Sequence, residues 1–429
     1  IVPEAYPIPS IENNKLTLEY QKTFKNNFPN WYFCGRFGKF QFSWMRDSIR
    51  DGIKIADNII KMYNKWINYM NNKKYVLITG GAGFIGSHIA EYFLQNNEYI
   101  PVIIDDLSGG YESNIPKDAI FHKSSILERS LINDLFEEYN FDIIFHFAAY
   151  AAENLSHYIR EYNYRVNVEG SMVLINAAIK NKTKHFVFAS SAAVYGKNNN
   201  TSEDTIPSPI DPYGVAKLTV EKDLALANRT FGLNYTIVRL HNVYGERQNI
   251  HDPYRNVIGI FLRQILLNKP MTVFGNGKQK RSFTYIKDII SNLCDLPFNP
   301  KTKDEILNMG TDKSHSINEL VEIICECLKN KNPLVTYLPE RDEAESVILS
   351  HTKYKKLYPD QKETNLKTGI NNMFNSIEQN VLNPTPFPFI ELKDELPDYW
   401  KKLWKIGDSK LLFTKEFSWN SLLKNATTN

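Results

Sequence analysis

The chain has 429 residues, a formal net charge of +3 and four cysteines. That length allows two or three domains with sizeable cores, and so small a net charge does not indicate a nucleic-acid or membrane-surface partner. No apolar run is long enough to span a membrane, and Ile1–Glu4 has neither the basic nor the apolar part of a secretory signal. Cys325 and Cys327 lie two apart on a predicted helix and do not share a face, so we expect neither a metal site nor disulfides. We therefore expect a cytoplasmic protein.

Residues 1–70 form a separate N-terminal extension in this prediction, aromatic-rich and ending in a helical stretch, Met45–Tyr69. The segments Ala5–Pro9, Phe33–Gly38 and Trp44–Ile49 resemble the C-terminal flavin-contacting part of UDP-galactopyranose mutase and related FAD oxidoreductases. The extension lacks a dinucleotide-binding turn and cannot form a flavin site alone. We interpret it as a fusion remnant of a flavoprotein; an unrelated extension is the alternative.

From residue 71 onward, short apolar strands alternate with amphipathic helical patterns. The predicted strands are Tyr75–Thr79, Ile100–Asp105, Ile143–Phe147, Phe186–Ser191 and Tyr235–Arg239. Strands separated by helices imply parallel βαβ units, so the predicted fold class is α/β, with a Rossmann-type doubly wound parallel sheet. We place the NAD-binding Rossmann domain at 71–241, a smaller α/β substrate-binding region at 242–370, and a peripheral tail at 371–429.

A glycine-rich turn follows the first of these strands, within Val76–Gly86. An apolar strand enters the turn, and an amphipathic helical pattern leaves it. Glycines let the backbone approach a pyrophosphate, and the N-terminus of the helix offers unpaired N–H groups to that anion. Asp105 stands at the end of the next strand, where a carboxylate can accept hydrogen bonds from a ribose diol. This arrangement favours NAD over NADP, because a 2′-phosphate would face the carboxylate.

Tyr213 and Lys217 are four residues apart at the start of a predicted helix. Residues at this spacing share a face, so the lysine ammonium can lie near the phenol and lower its pKa. The phenol then becomes a usable base near neutral pH. Ser191 ends a buried strand at the ligand-binding edge of the sheet, where its hydroxyl can relay the proton.

Together these motifs closely resemble the extended short-chain dehydrogenase/reductase superfamily, and within it the NAD-dependent nucleotide-sugar 4-epimerases of the UDP-glucose and UDP-glucuronate type. The resemblance spans Tyr75–Tyr358. It rests on the ordered motifs Thr79–Gly86, Asp105–Ser108, His146–Ala149, Asn167–Gly170, Ser190–Gly196, Pro212–Lys217, Arg239–Gly245 and Arg281–Asp288.

The resemblance implies roles for individual residues. Tyr213 would be the catalytic base, Lys217 would also hold the nicotinamide ribose, and Ser191 would assist the proton transfer and contact the substrate. The implied NAD-binding residues are Gly80, Gly83, Phe84, Ile85, Gly86, Asp105, Asp106, Leu107, Ser108, Phe147, Ala148, Ala149, Asn167, Tyr213 and Lys217. Asn242, Arg281 and Arg341 would bind the nucleotide diphosphate of a UDP-hexose, a task that suits guanidinium groups. A homodimer is also expected.

One absence distinguishes between reactions. Related dehydratases and decarboxylases carry an acidic residue just after the catalytic Ser or Thr, whereas this chain has Ala192 and Ala193. We therefore expect epimerisation at C4 through a transient 4-keto sugar. Ser125 and Ala151 depart from the residues that relatives often place near the adenine and the cofactor phosphates, and Ile348 falls near the position that often contacts the sugar 2-substituent. Two alternatives stay open: a dehydratase or reductase of the same superfamily, and a catalytically silent NAD-sensing regulatory protein.

Overall fold

The computed structural model describes residues 52–62, 74–95, 98–198, 201–252, 254–328, 334–340, 346–377 and 390–405. Contacts divide the chain into two compact units, Ile1–Lys73 and Lys74–Asn429. In the first unit, residues 52–62 form a helix (α1), inside the predicted stretch Met45–Tyr69. The flavoprotein-like segments of the N-terminal extension lie outside the described residues, so the fusion remnant stays a prediction.

The second unit contains fourteen strands and eleven helices among the described residues. The strands are β1 Lys74–Thr79, β2 Tyr99–Asp105, β3 Ile120–Lys123, β4 Ile143–His146, β5 His185–Ser191, β6 Tyr235–Leu240, β7 Val243–Tyr244, β8 Met271–Phe274, β9 Lys280–Ser282, β10 Thr284–Tyr285, β11 Glu305–Met309, β12 Ser314–Ser316, β13 Val335–Leu338 and β14 Ser346–Val347. The helices are α2 Phe84–Gln95, α3 Arg129–Tyr139, α4 Arg160–Tyr164, α5 Gly170–Lys180, α6 Pro212–Phe231, α7 Val257–Leu266, α8 Ile286–Asp295, α9 Ile317–Cys327, α10 Thr352–Leu357, α11 Leu366–Ile377 and α12 Asp398–Lys405.

Seven parallel strands form the central sheet, in the order β11-β6-β5-β4-β1-β2-β3. Successive side chains of a strand point to opposite faces, and this sheet is buried on both. In β1, for example, Val76 and Ile78 enter the core that α2 and α8 cover, while Leu77 enters the core that α3, α5 and α6 cover. The predicted Rossmann-type doubly wound sheet is therefore confirmed.

The sheet has two strands that the sequence pattern did not indicate. β3 is four residues long, and none of its side chains is fully buried. β11 comes from the region predicted as the substrate domain and pairs with β6, with Leu307 opposite Val238. The sheet is thus not contained within 71–241, because the chain returns to its edge after crossing the smaller region.

Smaller sheets build the rest of the unit around this edge. β8 pairs with β13, and β9 lies between β12 and β14. α9 begins at a capping box in which Ser316 and Glu319 bind each other's backbone N–H groups. No helix in the described parts of the chain is long and apolar enough to cross a membrane.

Candidate active site

The order of the strands places the site. From β1 the chain proceeds to β2 and β3 on one side, then returns to β4 on the other, so β1 and β4 flank the point where the order reverses. Ligands of open α/β sheets bind in the crevice at the carboxyl ends of the strands at such a point. A cavity of about 790 Å³ opens there, within the size range of small-molecule sites.

The glycine turn after β1 forms one wall of this cavity. Gly80 has a φ of +73°, and a Cβ on it would lie only 2.7 Å from the backbone nitrogen of Ala148. A Cβ on Gly86 would lie 2.3 Å from the carbonyl oxygen of Gly80. Larger residues at either position would push the turn away from the crevice. Five of the predicted cofactor residues line the cavity here: Gly80, Gly83, Phe84, Ile85 and Gly86.

Asp105 closes the turn from the next strand. One carboxylate oxygen accepts a hydrogen bond from the N–H of Ala82 at 3.0 Å, and the other accepts from the N–H of Leu107 at 2.8 Å. A carboxylate has about four acceptor sites, so the group can still accept from a ribose hydroxyl. Asp106 and Ser108 also line the cavity. Leu107 does not; it adopts the left-handed conformation, with a φ of 62°, in the bend that Asp105 fixes.

The loop after β4 forms the facing wall, where Phe147, Ala148 and Ala149 line the cavity as predicted. Asn167 has a different position from the one expected. Its buried side chain accepts from the N–H of Tyr150 at 3.0 Å and donates to the carbonyl of Tyr150 at 3.2 Å. Asn167 therefore holds this loop in place and does not line the cavity. It lies in a π-helical turn, a feature frequent at functional sites.

Tyr213, Ser191 and Lys217 meet at the inner end of the cavity. Asp211 caps helix α6 by accepting from the N–H of Gly214 at 2.8 Å, which fixes Tyr213 in the first turn. The side chain of Ser191 acts on the Tyr213 phenol and lowers its pKa. The ammonium of Lys217 donates to the carbonyl of Ala189 at 2.8 Å and lies 5.6 Å from the centre of the Tyr213 ring.

The pKa of Tyr213 differs from the expectation. Burial raises it, the charge of Glu153 raises it further, and the hydrogen bond from Ser191 and the charge of Arg255 act in the opposite direction. The predicted lowering by Lys217 was wrong for this arrangement, because burial of the phenol raises its pKa and Lys217 is not among the groups that lower it. Burial lowers the pKa of Lys217 to about 7, and the carboxylate of Glu221 partly opposes this change. The spacing of Tyr213 and Lys217 predicts that they share a helix face, but it does not predict how deeply the two groups are buried.

The second half of the cavity, which we call the outer half, lies over the smaller region. Asn242 and Arg281 both line the cavity, and the amide of Asn242 donates to the carbonyl of Ser282 at 3.1 Å. Arg341 lies outside the described residues, so its role stays a prediction. Ser125 and Ala151, the two departures from the family pattern, also line the cavity.

Four charged residues that line the cavity were missed in the sequence: Glu153, Arg255, Arg263 and Lys269. Two of them, Arg255 and Glu153, act electrostatically on Tyr213. Arg255 forms an ion pair with Asp252 at 2.8 Å, and its guanidinium lies 5.1 Å from the centre of the Tyr150 ring. Glu153 lines the same cavity and acts electrostatically on Tyr213. Both belong to irregular segments, where no periodicity indicates a side chain's direction. The i,i+3 spacing of Asp252 and Arg255 was the one available signal.

Comparison with known proteins agrees with this geometry. Residues 76–310 match the sequence profile of the NAD dependent epimerase/dehydratase family. The chain belongs to this family. A putative UDP-glucose 4-epimerase of Methanocaldococcus jannaschii is 36% identical over 314 residues, which cover 71% of this chain and 99% of the relative.

Other members show the range of chemistry in the family. A UDP-N-acetyl-alpha-D-glucosaminuronate decarboxylase of Bacillus cytotoxicus is 30% identical, over 67% of this chain and 86% of its own length. The crystal structure of UDP-glucuronic acid 4-epimerase from Bacillus cereus, in complex with UDP-glucuronic acid and NAD, is 28% identical. It superposes with a TM-score of 0.66, covering 71% of this chain and 99% of the epimerase.

The cofactor of the present protein is NAD, and the residues that line its cavity fit this cofactor. The glycine turn leaves room beside the N-terminus of α2 for a pyrophosphate, and Asp105 offers lone pairs to a ribose diol but would repel a 2′-phosphate. The protein is thus an enzyme of the NAD dependent epimerase/dehydratase family. The family alone does not specify the reaction.

Proposed function

We propose that this protein epimerises a nucleotide-activated hexose, of the UDP-glucose/UDP-galactose type, at C4 through a transient 4-keto intermediate. One observation carries the proposal: Ser191, Tyr213 and Lys217 line one cavity together with the glycine turn and Arg281, and the ammonium of Lys217 lies 5.6 Å from the centre of the Tyr213 ring. The intact constellation also argues against a catalytically silent regulator. The UDP-sugars bound to or named for the relatives support a UDP-hexose as the substrate.

The residues have distinct tasks in this reaction. Tyr213, as phenolate, removes the proton of the C4 hydroxyl. Ser191 forms a hydrogen bond with the C4 oxygen that loses this proton. NAD, when bound, supplies the acceptor for the C4 hydride and later returns it. The hydroxyl proton and the C4 hydride leave together and produce the ketone; their return with the hydride on the opposite face of the sugar inverts C4. Arg281 and Asn242 hold the diphosphate, with Arg341 as a further proposed contact, while Lys217 holds the nicotinamide ribose.

The reaction is tested by incubating the protein with UDP-glucose, UDP-galactose, UDP-glucuronate and UDP-N-acetylglucosamine, each without added cofactor. We expect at least one to yield a product of unchanged mass that chromatography identifies as its C4 epimer. Retention of NAD by the purified protein should make added cofactor unnecessary. A product that has lost water or carbon dioxide would instead identify a dehydratase or a decarboxylase.

The second candidate function, a dehydratase or decarboxylase, is favoured by Glu153. Ala192 and Ala193 remove the usual acid, but the structure places this other carboxylate in the cavity near Tyr213. A carboxylate there could serve a second proton transfer to or from carbon.

The homodimer also stays a prediction, since a single chain does not test it.

A substitution of Glu153 separates the two functions. Glu153→Gln removes a negative charge that raises the pKa of Tyr213, so the phenolate should form at lower pH. We expect the acidic limb of the kcat/KM profile for epimerisation to shift to lower pH, with epimerisation retained. Glu137→Gln, at an exposed position outside the cavity, serves as the control and should not shift the profile. Complete loss of turnover in Glu153→Gln would favour the second candidate, because a true epimerase does not need this acid.

A further inference from the structure

The chain after residue 389 contains an element that the family profile, which ends at residue 310, does not cover. Residues 390–401, which we call the C-terminal segment, were predicted to belong to a peripheral tail. The structure buries Ile390, Leu396 and Trp400 in a hydrophobic cluster with Tyr150 and Tyr254. Both tyrosines line the active-site cavity.

Hydrogen bonds fix one end of the segment on the Rossmann part of the unit. The carboxylate of Glu391 accepts from the N–H groups of Glu161 at 2.9 Å and Tyr162 at 2.8 Å, in the first turn of α4. A carboxylate at a helix N-terminus satisfies otherwise unpaired donors and interacts favourably with the helix dipole. The N–H groups of Glu391 and Leu392 both donate to the carbonyl of Tyr158, at 3.0 and 3.2 Å.

The other end reaches the smaller region. The hydroxyl of Tyr399 is 3.2 Å from the hydroxyl of Thr272 and accepts from the amide of Gln264 at 3.4 Å. Its ring meets the ring of Phe274 edge-on, with 6.2 Å between centroids. Trp400 follows, and its ring meets the edge of Tyr254 at 4.9 Å. The segment thus spans the cavity from one part of the unit to the other.

Tyr399 and Trp400 both line the cavity, as do Phe274, Lys269 and Arg281. Aromatic rings beside cationic side chains suit a ligand that has a flat heteroaromatic base and a diphosphate. Tyr399 contacts Phe274 of the smaller region, the part of the unit in which the proposed function places the nucleotide of the substrate.

We propose that the C-terminal segment is a built-in wall of the nucleotide subsite, and that Tyr399 and Trp400 contact the bound nucleotide and determine its affinity. The choice of a nucleotide as the ligand rests on the proposed function. The residues of this wall lie outside the matched residues 76–310.

Calorimetric titration with UDP tests the wall directly in the full-length protein. We expect Trp400→Ala to weaken UDP binding by about tenfold or more, as the loss of a buried aromatic contact typically does, while the amount of retained NAD is unchanged. Tyr399→Phe keeps the ring and should weaken binding only a few-fold. Leu392→Ala is the matched control, because Leu392 belongs to the same segment but has an exposed side chain. Wild-type affinity in a folded Trp400→Ala protein would overturn the proposal.

A second measurement does not depend on the alanine variant folding. Residues 74–377 contain no tryptophan, and among the described residues Trp400 is the tryptophan that lines the cavity. UDP should change the tryptophan emission of the wild-type chain, and this change should be absent in Trp400→Phe. Equal changes in both proteins, or no change in the wild type, would overturn the proposal. Trp400-dependent UDP binding without conversion of any UDP-sugar would leave the wall standing and contradict the proposed reaction. Failure of the wild type to bind UDP at all would contradict both.

Discussion

Replacing Tyr213 by Phe should lower kcat by about 100-fold or more, the lower range of what a positioned acid–base group contributes. The substitution removes only the phenolic hydroxyl and leaves the buried ring in place. NAD content and UDP affinity should therefore stay close to the wild-type values. Burial raises the pKa of this phenol, so its deprotonation depends on the assembled site.

The measurement compares initial rates of C4 epimerisation, bound NAD and thermal unfolding for the variant and the wild type. Tyr235→Phe is the control, because Tyr235 is also buried but does not line the cavity. It should keep normal turnover. A Tyr213→Phe enzyme with near-normal kcat would show that another group is the base.

Much of the fold followed from local pattern. Three glycines between an apolar strand and an amphipathic helix permit few backbone conformations of the turn. The strands also followed from their apolar residues: the predicted strand Phe186–Ser191 differs from β5 by one residue. Strand ends at one edge of a parallel sheet necessarily come together. For this reason we could assign Gly80, Asp105, Ser191 and Tyr213 to one site before any distance between them was known.

Contacts between distant, irregular segments could not be predicted in the same way. Glu391 binds the backbone of Glu161, 230 residues earlier, and no periodicity links the two positions. Asn167 was assigned to the cofactor because it belongs to a family motif, yet its amide is occupied by Tyr150. A motif identifies the part of the chain that builds a site but does not say which group a side chain binds.

The burial of individual side chains was the other property that the sequence did not predict. The spacing of Lys217 and Tyr213 gives proximity, whereas their pKa values are governed mainly by desolvation. The same is true of Glu221, one helical turn after Lys217, which from the sequence would be an ordinary solvated charge. In the structure Glu221 is almost fully buried.

Glu221 belongs to a buried ion pair behind the active site. Both its carboxylate oxygens accept from the guanidinium of Arg239, at 2.6 and 3.0 Å, and one also accepts from the hydroxyl of Ser190. Arg239 donates to the hydroxyl of Tyr195 at 2.7 Å. Each side chain of the ion pair is only 2% exposed, so neither charge could find water if its partner were removed.

Removing one partner of this pair should therefore be costly. We expect Glu221→Leu and Arg239→Leu each to lower the free energy of unfolding by about 3–5 kcal/mol, since each leaves an unpaired buried charge. The double variant leaves no charge behind and should lose at least about 2 kcal/mol less than the sum of the single losses. Urea unfolding of the four proteins measures this coupling. The exposed pair Lys184–Asp142, at 2.9 Å, is the control, and its cycle should give a coupling below about 1 kcal/mol. Additive losses at Glu221 and Arg239 would contradict the prediction, because they would mean that water or a rearranged neighbour reaches the remaining charge. In that case this part of β5 and α6 would not be a rigid, dry support for Ser191 and Lys217.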